Sequence, residues 1–130
     1  MTKATKELPP SPEPEHVKIY APAIAPINSL TPSQRRVLYA ILSEASSAEN
    51  GMRVAITAGS KRLMCKKLGI GSPQTIANAL SKMTKAGILL RIETGVYMLN
   101  PFLFGKGDWK DIEKLRHSVD FIFKGGKEYV

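Results

Sequence analysis

The stretch Ser72-Pro73-Gln74-Thr75-Ile76-Ala77-Asn78-Ala79-Leu80-Ser81-Lys82-Met83-Thr84-Lys85-Ala86-Gly87 reads as a helix with both ends marked. Ser72 is of the type that caps free amides, and Pro73 falls at the first helical position, where no N–H is needed. Lys85 lies in the last turn and Gly87 follows the end. Ile76, Leu80 and Met83 recur at i, i+4 and i+7, so one face is apolar. The opposite face carries Gln74, Thr75, Asn78, Ser81, Lys82 and Lys85 and no acid. Such a face suits an acidic, hydrogen-bonding partner.

The charge of the chain has the same bias. Its 130 residues hold 19 Lys and Arg against 11 Asp and Glu, a formal net charge of +8. Residues 50–92 contain Arg53, Lys61, Arg62, Lys66, Lys67, Lys82, Lys85 and Arg91 and no acid. Those eight bases leave eleven others, which the eleven acids balance, so the whole excess sits in this one segment. That pattern points to nucleic acid. An anionic membrane fits less well, because no helix pairs a basic face with a bulky aromatic one.

Length allows one domain with one core, and a hydrophobic fraction of 43% makes it globular. No run approaches the roughly 18 apolar residues of a membrane span, and no signal-peptide pattern opens the sequence. Cys65 is alone, so a disulfide framework and a cysteine zinc site are both ruled out within one chain. Its helical apolar context predicts a small buried side chain. A reducing, cytoplasmic setting is expected, with no cofactor and no metal. No nucleophile pairs with a histidine in a recognisable motif, and no phosphate-binding loop occurs, so an enzyme is not expected. Gly69-Ile70-Gly71 is better explained as a turn, and His16 and His117 carry no assigned role.

In chain order, six of the nine prolines fall within the first 30 residues. Residues 1–16 are expected to be a disordered tail, available to another protein, and residues 17–30 an extended arm. Leu30-Thr31-Pro32-Ser33-Gln34 starts a first helix, with a capping box between Thr31 and Gln34. Val37, Leu38, Ile41 and Leu42 form its buried stripe, and Arg35 and Arg36 near its start are candidates for DNA backbone. Asn50-Gly51 marks a turn and Met52-Arg53-Val54-Ala55-Ile56 a short strand. Thr57 caps a second helix with Leu63, Met64 and Leu68 inside and Lys61, Arg62, Lys66 and Lys67 outside. After the helix of the opening paragraph, Ile88 to Ile92 and Val96 to Leu99 flank the tight turn Glu93-Thr94-Gly95.

Seven of the nine aromatics follow from Tyr97 onward, so residues 100–130 form an extension of different character. Asp108 is placed to cap a helix running to about His117, with Trp109, Ile112 and Leu115 or Arg116 on one side. Val119 to Phe123 alternates like a strand. Phe102, Phe104, Trp109, Ile112, Phe121 and Phe123 are the candidates for a homodimer interface, with covering of the core as the alternative.

The order helix, strand, helix, short glycine turn, helix, hairpin over residues 31–99 is that of a winged helix-turn-helix. The fold class expected is α+β, a mainly helical winged domain with a β-hairpin wing and a C-terminal helical extension. Thr75 to Leu89 resembles the segment from recognition helix to wing in MarR-like and related winged-helix regulators. Narrower is the run Gly95-Val96-Tyr97-Met98-Leu99-Asn100-Pro101-Phe102-Leu103-Phe104-Gly105-Lys106-Gly107-Asp108-Trp109-Lys110-Asp111-Ile112. It resembles the RepL family of plasmid replication proteins, where Tyr-x-x-Asn-Pro-x-x-Phe-x-(Lys/Arg)-Gly precedes a short helix. Membership would imply a plasmid- or phage-borne protein that binds DNA for replication or copy control, with the N-terminal tail available to a host or plasmid protein, and no catalytic residues come with it.

The chemistry expected is binding of double-stranded DNA in two layers. Gln74, Thr75 and Asn78 would read bases, since Gln and Asn pair with adenine and the Thr methyl meets thymine. Lys61, Arg62, Lys66, Lys67, Ser72, Ser81, Lys82, Lys85, Arg91 and Thr94 would contact phosphates without reading sequence. Glu93 near the tip argues against deep insertion of the wing. A dimeric transcription regulator is the leading reading, and an origin-binding replication protein the alternative.

Overall fold

A computed structural model describes residues 16–120. Lys18–Ile19 (β1) leads through a 3-10 turn at Ala21–Ala23 into a short helix, Ile24–Asn28 (α1). Then come Pro32–Glu44 (α2), Arg53–Ala55 (β2), Ala58–Leu68 (α3) and Pro73–Lys85 (α4). Leu89–Glu93 (β3) and Val96–Leu99 (β4) form the hairpin, followed by Phe104–Gly105 (β5) and Trp109–Val119 (α5). The chain is an α+β winged helix. Its three-stranded antiparallel sheet has the order β2-β4-β3, and β1 pairs with β5 in a separate two-stranded ribbon.

Local chemistry starts α2 as the sequence expects. The Thr31 Oγ1 accepts from the Gln34 amide at 3.2 Å, and the Thr31 amide donates back to Gln34 Oε1 at 2.9 Å. Val37, Leu38, Ile41 and Leu42 are buried against Ile76, Ala79, Leu80 and Met83 of α4 and against Leu89 and Leu99 of the sheet. Each of these apolar side chains contributes roughly 1.5–3 kcal/mol on leaving water. The α2 and α4 stripes therefore fix how the two helices lie, and with that which face of α4 points outward.

The other end of α2 is closed by a residue 61 to 64 positions away. A helix leaves its last carbonyls without partners. Lys106 inserts its ammonium among them, donating to the carbonyls of Leu42 at 3.1 Å, Ser43 at 3.0 Å and Ala45 at 2.6 Å. All three ammonium donors are used. Lys106 is only 4% exposed, the one buried charged side chain among the described residues. Its backbone carbonyl also accepts from the Ala48 amide at 2.6 Å, so the segment after the wing is bound both to the end of α2 and to the loop that follows it.

Part of the C-terminal extension covers the core. Phe104 and Ile112 are fully buried within the one domain, which removes both from the expected dimer interface. Phe102 is half-buried and Trp109 is 47% exposed, but both rings lie against Arg116. The Arg116 guanidinium stands 5.0 Å from the Tyr20 ring centre, 5.1 Å from Phe102 and 4.9 Å from Trp109. Its Nε donates to the Pro101 carbonyl at 2.9 Å. Cation–π attraction of about 0.5–1 kcal/mol per ring joins the N-terminal arm, the post-wing loop and α5. Phe121 and Phe123 lie outside the described residues, as do residues 1–15.

Several local expectations change. Residues 17–30 are not one extended arm: only β1 is strand, and the chain then turns helical. Pro22 and Pro26 permit this because each sits in the first turn of its helical piece, where the missing N–H costs nothing. Leu63 is 58% exposed, so the inner side of α3 is Met64 with half-buried Leu68 and Cys65. Asp108 holds the N-cap position of α5 by backbone shape alone, without a side-chain hydrogen bond. Val119 is the last residue of α5, not the start of a strand.

Gly105 is obligatory for a simple reason. A Cβ there would overlap the Tyr20 hydroxyl and come within 2.8 Å of Ile112 Cδ1. That hydroxyl is itself buried and has no hydrogen-bond partner among the described residues.

Two stability outcomes follow. Lys106→Met keeps the aliphatic stem but leaves three carbonyls unpaired, so unfolding stability should fall by about 2–4 kcal/mol, read as a lower urea midpoint at unchanged slope. Tyr20→Phe removes only an unsatisfied hydroxyl and should leave the midpoint equal or slightly higher.

Candidate nucleic-acid interface

The helix-turn-helix is set by two glycine-ended helices. Thr57 starts α3, its Oγ1 accepting from the Ser60 amide at 3.0 Å. Gly69, at φ +67°, ends it in the left-handed region, and the buried Ile70 returns its amide to the Cys65 carbonyl at 2.9 Å. Residues 69–72 then turn the chain into α4. Arg36 of α2 donates to the Leu68 carbonyl at 2.6 Å, and Arg35 to the Leu30 carbonyl at 2.7 Å. Both arginines, expected near DNA backbone, thus each hold a backbone carbonyl within the domain.

Ser72 occupies the N-cap of α4 in extended conformation, but its hydroxyl accepts from no helix amide. It lies 3.5 Å from Thr75 Oγ1, while the Thr75 amide donates to the Ser72 backbone carbonyl at 3.1 Å. The side-chain cap expected from the sequence is therefore replaced by a backbone turn. At the far end, Gly87 has φ +77°, its amide donates to Thr84 and the Ile88 amide to Met83, closing α4 in a Schellman motif. Asn100 then fastens this end. Its Nδ2 donates to the Gly87 carbonyl at 2.7 Å and its Oδ1 accepts from the Phe102 amide at 2.9 Å.

With both ends held and Ile76, Ala79, Leu80 and Met83 buried, the opposite face of α4 is outward. Gln74, Thr75, Asn78, Ser81, Lys82 and Lys85 are all exposed. The expected base readers are brought together: Gln74 Nε2 donates to Asn78 Oδ1 at 2.9 Å, one turn apart. That bond leaves the Gln74 carbonyl as an acceptor and the Asn78 amide nitrogen as a donor.

The expected phosphate contacts fall into three groups. On α3, Arg62 and Lys66 are exposed and Lys61 is half-buried, whereas Lys67 borders a hollow with Glu44, Ser60 and Leu63. On α4, Ser81 and Lys85 border a second hollow, of about 220 Å³, together with Arg91 of the hairpin. On the wing, Arg91 and Thr94 are exposed beside the equally exposed Glu93. The hairpin turn is short, and the Ile56 amide ties it to the end of β2 by donating to the Gly95 carbonyl at 2.7 Å.

Sequence reading missed what the residues after the wing do. Asn100 marks the end of a strand, yet its work is to latch the C-terminus of α4. Lys106 stands in a surface-like Gly-Lys-Gly context, yet it closes α2. The available signal was position: Lys106 directly follows the apolar residues 101–105, where burial of a lysine demands several hydrogen-bond partners.

No helix among the described residues is long and apolar enough to cross a membrane. No curated protein and no solved structure matches the chain. Residues 15–124 match the family described as Firmicute plasmid replication protein, RepL. That span covers the arm, the winged helix, the latch at Asn100, the buried Lys106 and the whole of α5. The chain belongs to the RepL family of plasmid replication proteins.

Proposed function

We propose that this protein binds double-stranded DNA in a sequence-dependent way, in the service of plasmid replication or its control. The observation that carries the reading is the outward row of α4: six exposed polar or basic residues, without an acid, on a helix whose opposite side is locked in the core. A rod of that width and chemistry suits the major groove, which admits an α-helix and presents donors and acceptors. Family membership supports replication as the setting and the bacterial cytoplasm as the place. Transcription regulation would use the same chemistry.

Base reading falls to Gln74, Thr75 and Asn78. The linked Gln74–Asn78 amides leave one acceptor and one donor, which complement N6 and N7 of adenine. Thr75, beside them, brings a methyl group for thymine. Arg62, Lys66, Lys82, Lys85 and Arg91 supply attraction to phosphates, with Lys61 and Lys67 at the margin. Two copies related by a two-fold axis would place half-sites about 34 Å apart. Trp109 is the one remaining exposed aromatic among the described candidates for such an association.

Neutralising about six phosphates gives a slope near −5 in log K against log salt. A titration on duplex DNA checks it; a slope near zero would refute phosphate binding by this face. Asn78→Ala should reduce the preference for a matched over a scrambled duplex by about 1–3 kcal/mol, whereas Lys85→Ala should weaken both duplexes alike. Because the two amides are bonded, the Gln74→Ala, Asn78→Ala double variant should lose less than the sum of the singles. Equal losses on both duplexes for every variant would remove the base-reading assignment. Footprinting over the plasmid separates an origin from a promoter.

A further inference from the structure

The hollow between α4 and the hairpin is lined by Ala77, Ser81, Thr84, Lys85, Arg91 and Tyr97. One wall is a stripe of α4 at helical spacing. The other is a single rung of the hairpin, where Arg91 and Tyr97 face each other across β3 and β4. No acid lines it, and Glu93 lies beyond it. Ala77 contributes only a methyl group, so its wall is low.

The hydrogen-bonding capacity of the hollow is also distinctive. The Thr84 hydroxyl is already spent on the Leu80 carbonyl, at 2.7 Å. The side chains of Ser81, Lys85, Arg91 and Tyr97 make no hydrogen bond within the protein among the described residues. Two cations and two hydroxyls therefore line one hollow without hydrogen-bond partners among the described residues. That combination fits a tetrahedral oxyanion, which accepts several charge-assisted hydrogen bonds at once.

We propose that this hollow seats one backbone phosphate of the DNA duplex, and that Tyr97 is the residue that positions it. The inference rests on the reading of α4 as a DNA-binding helix and adds a contact which that reading does not require. Tyr97 differs in kind from its neighbours. Lys85 and Arg91 are long and exposed, and they attract phosphate from many angles. The Tyr97 ring is half-buried and packs on the core, from the middle of a paired strand. A hydroxyl carried on so fixed a ring sets depth and angle, where the flexible cations set only attraction. A phosphate held there would fix how far α4 enters the groove and which bases Gln74 and Asn78 meet.

The test uses the full chain and a duplex carrying its selected site. Tyr97→Phe keeps the ring and removes the hydroxyl. Affinity should fall about 3- to 10-fold on matched and scrambled duplexes alike. The salt slope should not change, because no charge is removed, whereas Lys85→Ala should lower its magnitude by about 0.9. Ethylation interference gives the position: one phosphate beside the α4 footprint should weaken wild-type binding when ethylated and lose that effect in Tyr97→Phe. If Tyr97→Phe melts below wild type, Lys85→Ala must lose interference at that same phosphate. Wild-type affinity and an unchanged interference pattern in Tyr97→Phe would overturn the inference while leaving the DNA-binding reading intact. Failure of the wild-type protein to hold any duplex at low salt would overturn both.

Discussion

The ammonium of Lys106, buried among three carbonyls at the end of α2, is the constraint on which the remaining geometry depends. A charge in that position is tolerated only because every donor has an acceptor and every acceptor belongs to a helix end that needs one. The backbone around it gains a fixed place. Ala48 is bound to the Lys106 carbonyl, the Lys106 amide points at Met52 Sδ at 3.4 Å, and Met52 in turn accepts from Leu99 through its own carbonyl. One residue, through its side chain and its backbone, thus ties the end of α2 and the approach to β2 to the segment that leaves the sheet.

From that anchor the path to the outward face of α4 is short. Leu99 ends β4, Asn100 follows and latches the Gly87 carbonyl, and Gly87 is the glycine that closes α4. The residues that resemble the RepL signature are therefore largely a device for holding a helix. Asn100 bonds two backbone groups, Pro101 and Phe104 are buried, and Lys106 closes a helix end. Residues that mark a family can be there for mechanical reasons, leaving the surface that touches the ligand to vary. Tyr97, at the start of the same run, is the position whose polar end remains available.

Arg116 completes the frame from the other side. Gathering Tyr20, Phe102 and Trp109 around one guanidinium joins three segments that share no secondary structure. It also gives aromatics that look suited to a partner protein a partner within the chain. Seven aromatics clustered near a chain end look alike whether they cover a core or face a second copy, because composition carries no direction. Burial of Phe104 and Ile112 supplies the direction and assigns those two to the core.

Local pattern alone determined helices α2 to α5, the short strand, the glycine turn, the hairpin and the polar row on α4. Capping residues, helical spacing and turn glycines act over a few positions, so they are readable without knowing the rest of the chain. The same holds for the acid-free stretch, since charge can be counted. Tertiary structure decided whatever depends on partners distant in the sequence. The bond from Arg36 to the Leu68 carbonyl and the closing of α2 by Lys106 leave no mark in local pattern. Ser72 kept its cap position but not its cap bond, and Leu63 turned outward on a helix whose pattern placed it inside. A side chain's role is set by which unpaired groups the fold brings within about 3 Å of it, and that distance is a property of the packed chain, not of its order.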